Sequence, residues 1–147
     1  MVKATASPLG STDGVTVSDQ TADPANVVTI AQVNATAAGY IVIHQADADG
    51  NLVVEPAIGV AAVSLGGNTD VQVTLDRPVI DGETLFAMLH SEDNSNSTYD
   101  GPGVDAPVTD SNGDIITPGF TVAAVTSEPF VTVQDQLADP ANEVVID

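Results

Sequence analysis

The chain has 147 residues, 43% of them apolar and only 3% aromatic, enough for one domain with a modest core and short extensions. Lys3 and Arg77 alone offset 21 carboxylates, and the formal charge of −19 argues against nucleic acid or anionic membranes as partners. With no cysteine there are no disulfides and no thiolate metal sites, and no run of 18 apolar residues is present to span a membrane.

A surface this acidic repels itself unless salt screens it or divalent cations neutralise it, and the composition leaves both open. The first residues, Met-Val-Lys-Ala-Thr-Ala-Ser-Pro, lack the apolar run of a signal peptide, so an exported protein would have a leader outside this sequence.

Residues 1–14 read as a polar lead-in. Beyond them, period-2 alternation between clusters of Gly, Pro, Asn and Asp predicts strands near 15–19, 27–34, 39–45, 52–63, 70–75, 83–90, 114–117 and 119–125. Two more are expected at 130–134 and 143–146. Tyr40, Val42 and His44 alternate with Ile41 and Ile43, and apolar residues on both faces mark a central strand. Val71, Val73 and Leu75 alternate with polar neighbours, as a half-buried strand does. Asp49-Gly50, Gly66-Gly67, Asp81-Gly82 and Asn112-Gly113 mark hairpin turns. No window carries a convincing 3.6-residue period with caps. The expected fold is an all-β, immunoglobulin-like antiparallel β-sandwich over residues 15–125, followed at 126–147 by a linker and an extra C-terminal exchange strand.

That last segment is a repeat. Residues 131–146 reproduce 15–30 at 12 of 16 positions, with Asp23-Pro24-Ala25-Asn26 returning as Asp139-Pro140-Ala141-Asn142. The second copy opens a domain without the rest of one, and such a strand pair has no core of its own to bury against. Pro129 cannot donate to a ladder, so the chain changes course there. Val131, Val133, Asp135, Val144 and Ile146, with Val15 and Val17, are the candidate subunit contacts.

Four motifs carry a resemblance. Gly39-Tyr40-Ile41-Val42-Ile43-His44, Val73-Thr74-Leu75-Asp76-Arg77-Pro78-Val79, Leu85-Phe86-Ala87-Met88-Leu89-His90 and Thr98-Tyr99-Asp100-Gly101-Pro102-Gly103-Val104-Asp105 follow one another in that order. Over about residues 15–125 the chain resembles an uncharacterised domain repeated in large surface proteins of halophilic archaea and some bacteria. Its pattern is a G-x-V-V-I-H strand, an L-D-x-P-L turn, an A-M-x-H strand and a T-Y-D-x-x-G-x-D loop. The resemblance implies an extracellular β-sandwich module with no established catalytic activity. The chain departs from the pattern after the third motif, where Glu92, Ser95 and Ser97 stand in place of an Asp and glycines.

Two constellations offer chemistry. Glu92, Asn94, Asn96, Thr98, Asp100 and Asp105 place oxygens at alternating positions in a flexible loop, as calcium requires, although the glycine and terminal glutamate of an EF-hand are missing. The competing reading is a plain loop held by Asx-type hydrogen bonds. His44 and His90 end apolar strands that can neighbour each other. They are either a copper or zinc pair, with Met88, Glu92 or Asp93 nearby, or hydrogen-bonded structural residues. Asn34 and Asn96 lie in glycosylation sequons.

No G-x-S-x-G elbow is present, and five aromatics make a poor sugar cleft, so no enzyme is expected. The primary reading is a non-enzymatic extracellular subunit of a self-assembling surface fibre. It would be joined to its own copies head-to-tail by strand donation, with no small-molecule substrate. The alternatives are one module of a tandem-repeat adhesin or spacer, and a calcium- or copper-binding surface module.

Overall fold

A computed structural model describes residues 13–125. Nine strands and no helix are present among them. They are β1 (Gly14–Thr16), β2 (Gln20–Ala22), β3 (Val27–Ala35), β4 (Gly39–Ala46), β5 (Leu52–Val53), β6 (Gly59–Val63), β7 (Gly66–Thr74), β8 (Thr84–Ser91) and β9 (Gly119–Ala124).

They form a sandwich of two sheets. The smaller has the order β1-β3-β7, and the larger runs β2-β9-β8-β4, with β5 and β6 sharing the far edge of β4. Val28, Ile30, Val33 and Val73 of the small sheet pack against Ile41, Ile43, Leu85, Ala87, Leu89, Phe120 and Val122 of the large one. Every pairing is antiparallel except β2 with β9, where Val122 lies beside Gln20 in parallel.

Several expected elements take another form. The run 52–63 is two strands, because Pro56 has no amide to give a ladder and the chain turns at residues 54–58. No strand forms at 114–117. Ile115 makes only an isolated bridge to Thr109, and Ile116 and Pro118 offer carbonyls to β8. The short β2 was not expected at all, since three residues with one buried side chain, Ala22, carry no readable period. Gly50 and Gly113 do close hairpins, but Gly66 and Gly82 turn the chain from one sheet to the other. All four are at positive φ, so the dipeptides specified the local backbone and not the partner strand. At the Gly66 corner the Asn68 side chain accepts from the Ser64 amide at 3.0 Å and donates to the Ser64 and Val33 carbonyls. The strands expected at 130–134 and 143–146, and Pro129, lie outside the described residues.

Arg77 fastens the two sheets. Its guanidinium makes a bidentate pair with Glu83 at 2.8 and 2.9 Å and also donates to Gln45 on β4. Glu83 holds Arg77 in its charged form, and Arg77 in turn draws the Glu83 carboxyl below its usual range against the opposing effect of burial.

At the centre lies the β4–β8 pair, in register from Gly39 opposite Ser91 to Gln45 opposite Leu85. Gly39 sits where a side chain has no room, because a Cβ there would run into the carbonyl oxygen of His90. Replacing Gly39 by Ala is therefore expected to lower stability by about 3 kcal/mol, read as a shift of the urea midpoint. The same substitution at Gly14, which has nothing within 4 Å, should change it by less than about 0.5 kcal/mol.

Candidate functional site

Along β4 and β8 the odd-numbered residues enter the sandwich core. The even-numbered ones, Tyr40, Val42, His44, Met88 and His90, point to the opposite face and are also buried. The outer face of an antiparallel sheet is ordinarily wet. Here the long connection between β8 and β9 closes over it. Ala106 accepts from the Ser91 amide, Val108 donates to Leu89, and Pro107 bridges His90. From this cover Tyr99 stacks edge-on against His90, with ring centroids 5.0 Å apart, and lies 5.8 Å from Tyr40.

The two histidines do meet. Val42 pairs with Met88, and His44 and His90 flank that pair diagonally with ring centroids 5.8 Å apart. Both are fully buried. Nδ1 of His90 lies 2.8 Å from the carbonyl oxygen of Asp105, which can only accept, so this nitrogen carries the proton and Nε2 holds a bare lone pair. Nε2 of His90, both ring nitrogens of His44 and the Tyr99 hydroxyl are buried without hydrogen-bond partners. Burial pushes both imidazoles below the ordinary histidine range, and at His44 the neighbouring His90 adds to the effect, while the backbone of Val54 and Val53, close by but outside hydrogen-bond geometry, and the charge of Glu55 oppose it. Burial together with the charges of Glu55 and Asp105 pushes the Tyr99 phenol up to about 12.

The acidic loop is organised around its own amides. Glu92 accepts from the backbone of Asn94, Ser95 and Ser97 at 3.2, 3.1 and 2.6 Å, and from the Tyr40 hydroxyl at 2.6 Å. Positive φ at Ser95 and Ser97 turns those amides inward. The Tyr40 bond leads the effects that draw Glu92 below the usual carboxylate range. Burial, reinforced by Glu92, raises Tyr40 to about 12. Asp105 is fully buried and accepts from the amides of Asp93 and Asp100 at 2.9 and 2.7 Å. Asn94 and Asn96 both donate to Asp100, and Asn96 accepts from the Thr98 amide.

The six candidate calcium ligands thus form one hydrogen-bonded loop. Among the described residues no three or more His, Asp or Glu side chains gather as metal ligands would. Asp93 is held low by the Ala106 amide and the Ser91 hydroxyl. Asp93 and Glu92 both accept hydrogen bonds from within the loop. Asn96 is exposed, whereas Asn34 is half-buried inside β3.

The contacts of the first repeat copy were not legible in the sequence. Val15 and Val17 pack on the core of their own domain. Asp19 accepts from the Thr121 amide, and the Gln20 side chain imitates a strand partner by bonding both N and O of Thr29. Ala25 and Asn26 offer carbonyls to Val79 and Leu75. Asp19, Gln20, Ala25 and Asn26 recur as Asp135, Gln136, Ala141 and Asn142, and the fully buried Ala22, Val28 and Ile30 recur as Ala138, Val144 and Ile146. The four positions that change, 18, 21, 27 and 29, are all at least partly exposed. Val131, Val133, Asp135, Val144 and Ile146 lie outside the described residues.

A family model described as a domain of unknown function (DUF7282) matches residues 13–123. Cell surface glycoprotein 2 of Haloarcula hispanica is 35% identical over 115 residues, and cell surface glycoprotein 1 of the same organism is 34% identical over 114. Each match covers 78% of this chain and 12% of the relative. No solved structure matches the chain.

The histidine pair sets a pH dependence. The folded imidazoles stay neutral where unfolded ones, with pKa near 6.5, take up protons, so their contribution is complete above that value and is lost as pH falls through it. In chelator, stability measured by urea unfolding should be level from pH 8 to 7. It should then decline by no more than about 1.4 kcal/mol per pH unit for each histidine between pH 6.5 and 5. The loop carboxylates act only at lower pH. A flat profile down to pH 5 would show that the two rings are not held neutral.

Proposed function

Because this chain belongs to the DUF7282 domain family, we propose that it is a non-enzymatic structural domain of the cell surface whose repeated segment 131–146 docks on another copy of the same sandwich. The surface setting rests on the two Haloarcula hispanica relatives and on the charge of −19, which suits a saline medium. One observation carries the docking: the second copy keeps every fully buried position of the first together with Asp19, Gln20, Ala25 and Asn26, and varies only where the first copy is exposed or partly exposed. Segment 131–146 therefore carries the information needed to occupy the site now held by 15–30, between the edges of β7 and β9.

Side chains alone bind weakly. Burying Val131, Val133, Val144 and Ile146 contributes about 1.5–3 kcal/mol each, against an association cost of about 4–15 kcal/mol. Backbone hydrogen bonds along the acceptor edges add to this and fix the register. A head-to-tail contact of this kind propagates into a filament. A second reading has support of its own: the match takes up only 12% of each relative, so the same segment also suits the opening strands of a following module in a longer surface protein.

The two readings part in solution. In molar KCl the full chain should sediment as concentration-dependent polymers, and a chain lacking 127–147 should sediment as a monomer. Since the protein has no cysteine, Thr121→Cys with Asp135→Cys places one thiol on the acceptor and one on the donor. Oxidation should give a ladder of covalent oligomers. A full chain that stays monomeric at every salt concentration and gives no ladder would eliminate strand donation and leave the tandem module.

A further inference from the structure

Five side-chain nitrogen and oxygen atoms are buried without a partner among the described residues, and four of them belong to His44, His90 and Tyr99 on the outer face of the β4–β8 pair. Buried polar atoms are nearly always satisfied, and a cluster of exceptions asks what completes them.

Several features favour a soft metal ion. His90 is fixed through Nδ1 by the Asp105 carbonyl, which leaves Nε2 as a bare donor. A hydrogen bond from the other ring nitrogen to a backbone carbonyl is how ligating histidines are oriented. The ring centres lie 5.8 Å apart, within the reach of two nitrogen–metal bonds of about 2.0–2.1 Å to one ion. Met88 stands on the same face, two residues from His90 in β8 and paired with Val42, itself two residues from His44. Imidazole suits copper and zinc, but adding a thioether selects cuprous copper. The set is uncharged, and a monovalent ion is cheaper to bury among neutral ligands than a divalent one. Two carboxylates act on the rings from outside this set: Asp105, whose oxygens accept from the Asp93 and Asp100 amides, and the exposed Glu55, while Glu92 and Asp93 accept from loop amides.

We propose that His44, His90 and Met88 form a buried site for a cuprous ion, roofed by Tyr99. Tyr99 and the Asp105 backbone hold the cover of the site and the tautomer of His90, and act as positioning residues. The site does not depend on strand donation.

The test uses the full chain, stripped with chelator and titrated without oxygen against the Cu(I)–bicinchoninate complex. One equivalent of Cu(I) should leave the competitor, and X-ray absorption should show nitrogen neighbours and one sulfur. Met88→Leu preserves volume and should remove the sulfur signal and weaken binding at least tenfold. The double variant His44→Phe with His90→Phe should leave all copper with the competitor. If that variant does not fold, the absorption spectra of the parent and Met88→Leu decide alone. Copper that stays with bicinchoninate, a sulfur signal that survives Met88→Leu, or Zn(II) at equal concentration displacing Cu(I) would each overturn the assignment.

Discussion

The antiparallel pair of β4 and β8 is covered on both faces, and the rest of the molecule is arranged to permit this. On one side Ile41, Ile43, Leu85, Ala87 and Leu89 meet the small sheet. On the other, Tyr40, Val42, His44, Met88 and His90 need a cover of their own, and the connection between β8 and β9 supplies it. Each buried apolar side chain of such a pair contributes about 1.5–3 kcal/mol. The geometric consequence is the bare backbone at Gly39, where the two strands pass too closely for a Cβ. Three of the four motifs that carry the family resemblance, ending in His44, His90 and Asp105, converge here. The fourth, around Arg77, joins the sheets elsewhere.

With 21 carboxylates and two cationic side chains, the chain cannot neutralise itself by ion pairs. Backbone amides take the place of the missing cations. Asp47 accepts from the amides of Asp49 and Asn51, Asp110 from Asn112 and Asp114, Asp13 from Thr36, Asp81 from Ala124 and Glu83 from Ile80. Glu92 and Asp105 repeat the device inside the cover loop. An ionised acceptor makes a stronger hydrogen bond than a neutral one. The acids thus pin the turns, and the loop 92–105 is the densest case. There three backbone amides, those of Asn94, Ser95 and Ser97, turn toward Glu92.

How legible this was depended on the physics of each signal. The double-sided apolar run of β4 announced a central strand, and the alternation at 71–75 announced a half-buried one, because burial writes a period into the sequence. The meeting of His44 with His90 was legible as a pairing of strand ends, but the burial of both rings was not. It depends on a 27-residue cover, residues 92–118, whose polar composition looks like solvent-exposed loop. The short β2 and the sheet-crossing turns at Gly66 and Gly82 were invisible for the same reason: their partners are distant in sequence. Turn residues encode a backbone angle and carry nothing about which strand comes next.

Under the strand-donation proposal the two repeat copies would compete for one acceptor, and they differ only as Ser18 from Gln134, Thr21 from Leu137, Val27 from Glu143 and Thr29 from Val145. The first copy is continuous with β3 of its own domain, so it rebinds at the high effective concentration of a tethered strand. A second copy arriving from elsewhere must offset that advantage. Leu137 and Val145 add apolar surface and strand propensity where the first copy has threonine. Glu143 instead adds a charge to a surface already strongly negative. At low ionic strength that repulsion opposes docking. At about 1 M salt the screening length falls to roughly 3 Å, which removes the cost of Glu143 while the apolar gains remain. Under that proposal, ionic strength is the variable that would select between a self-contained domain and a linked one.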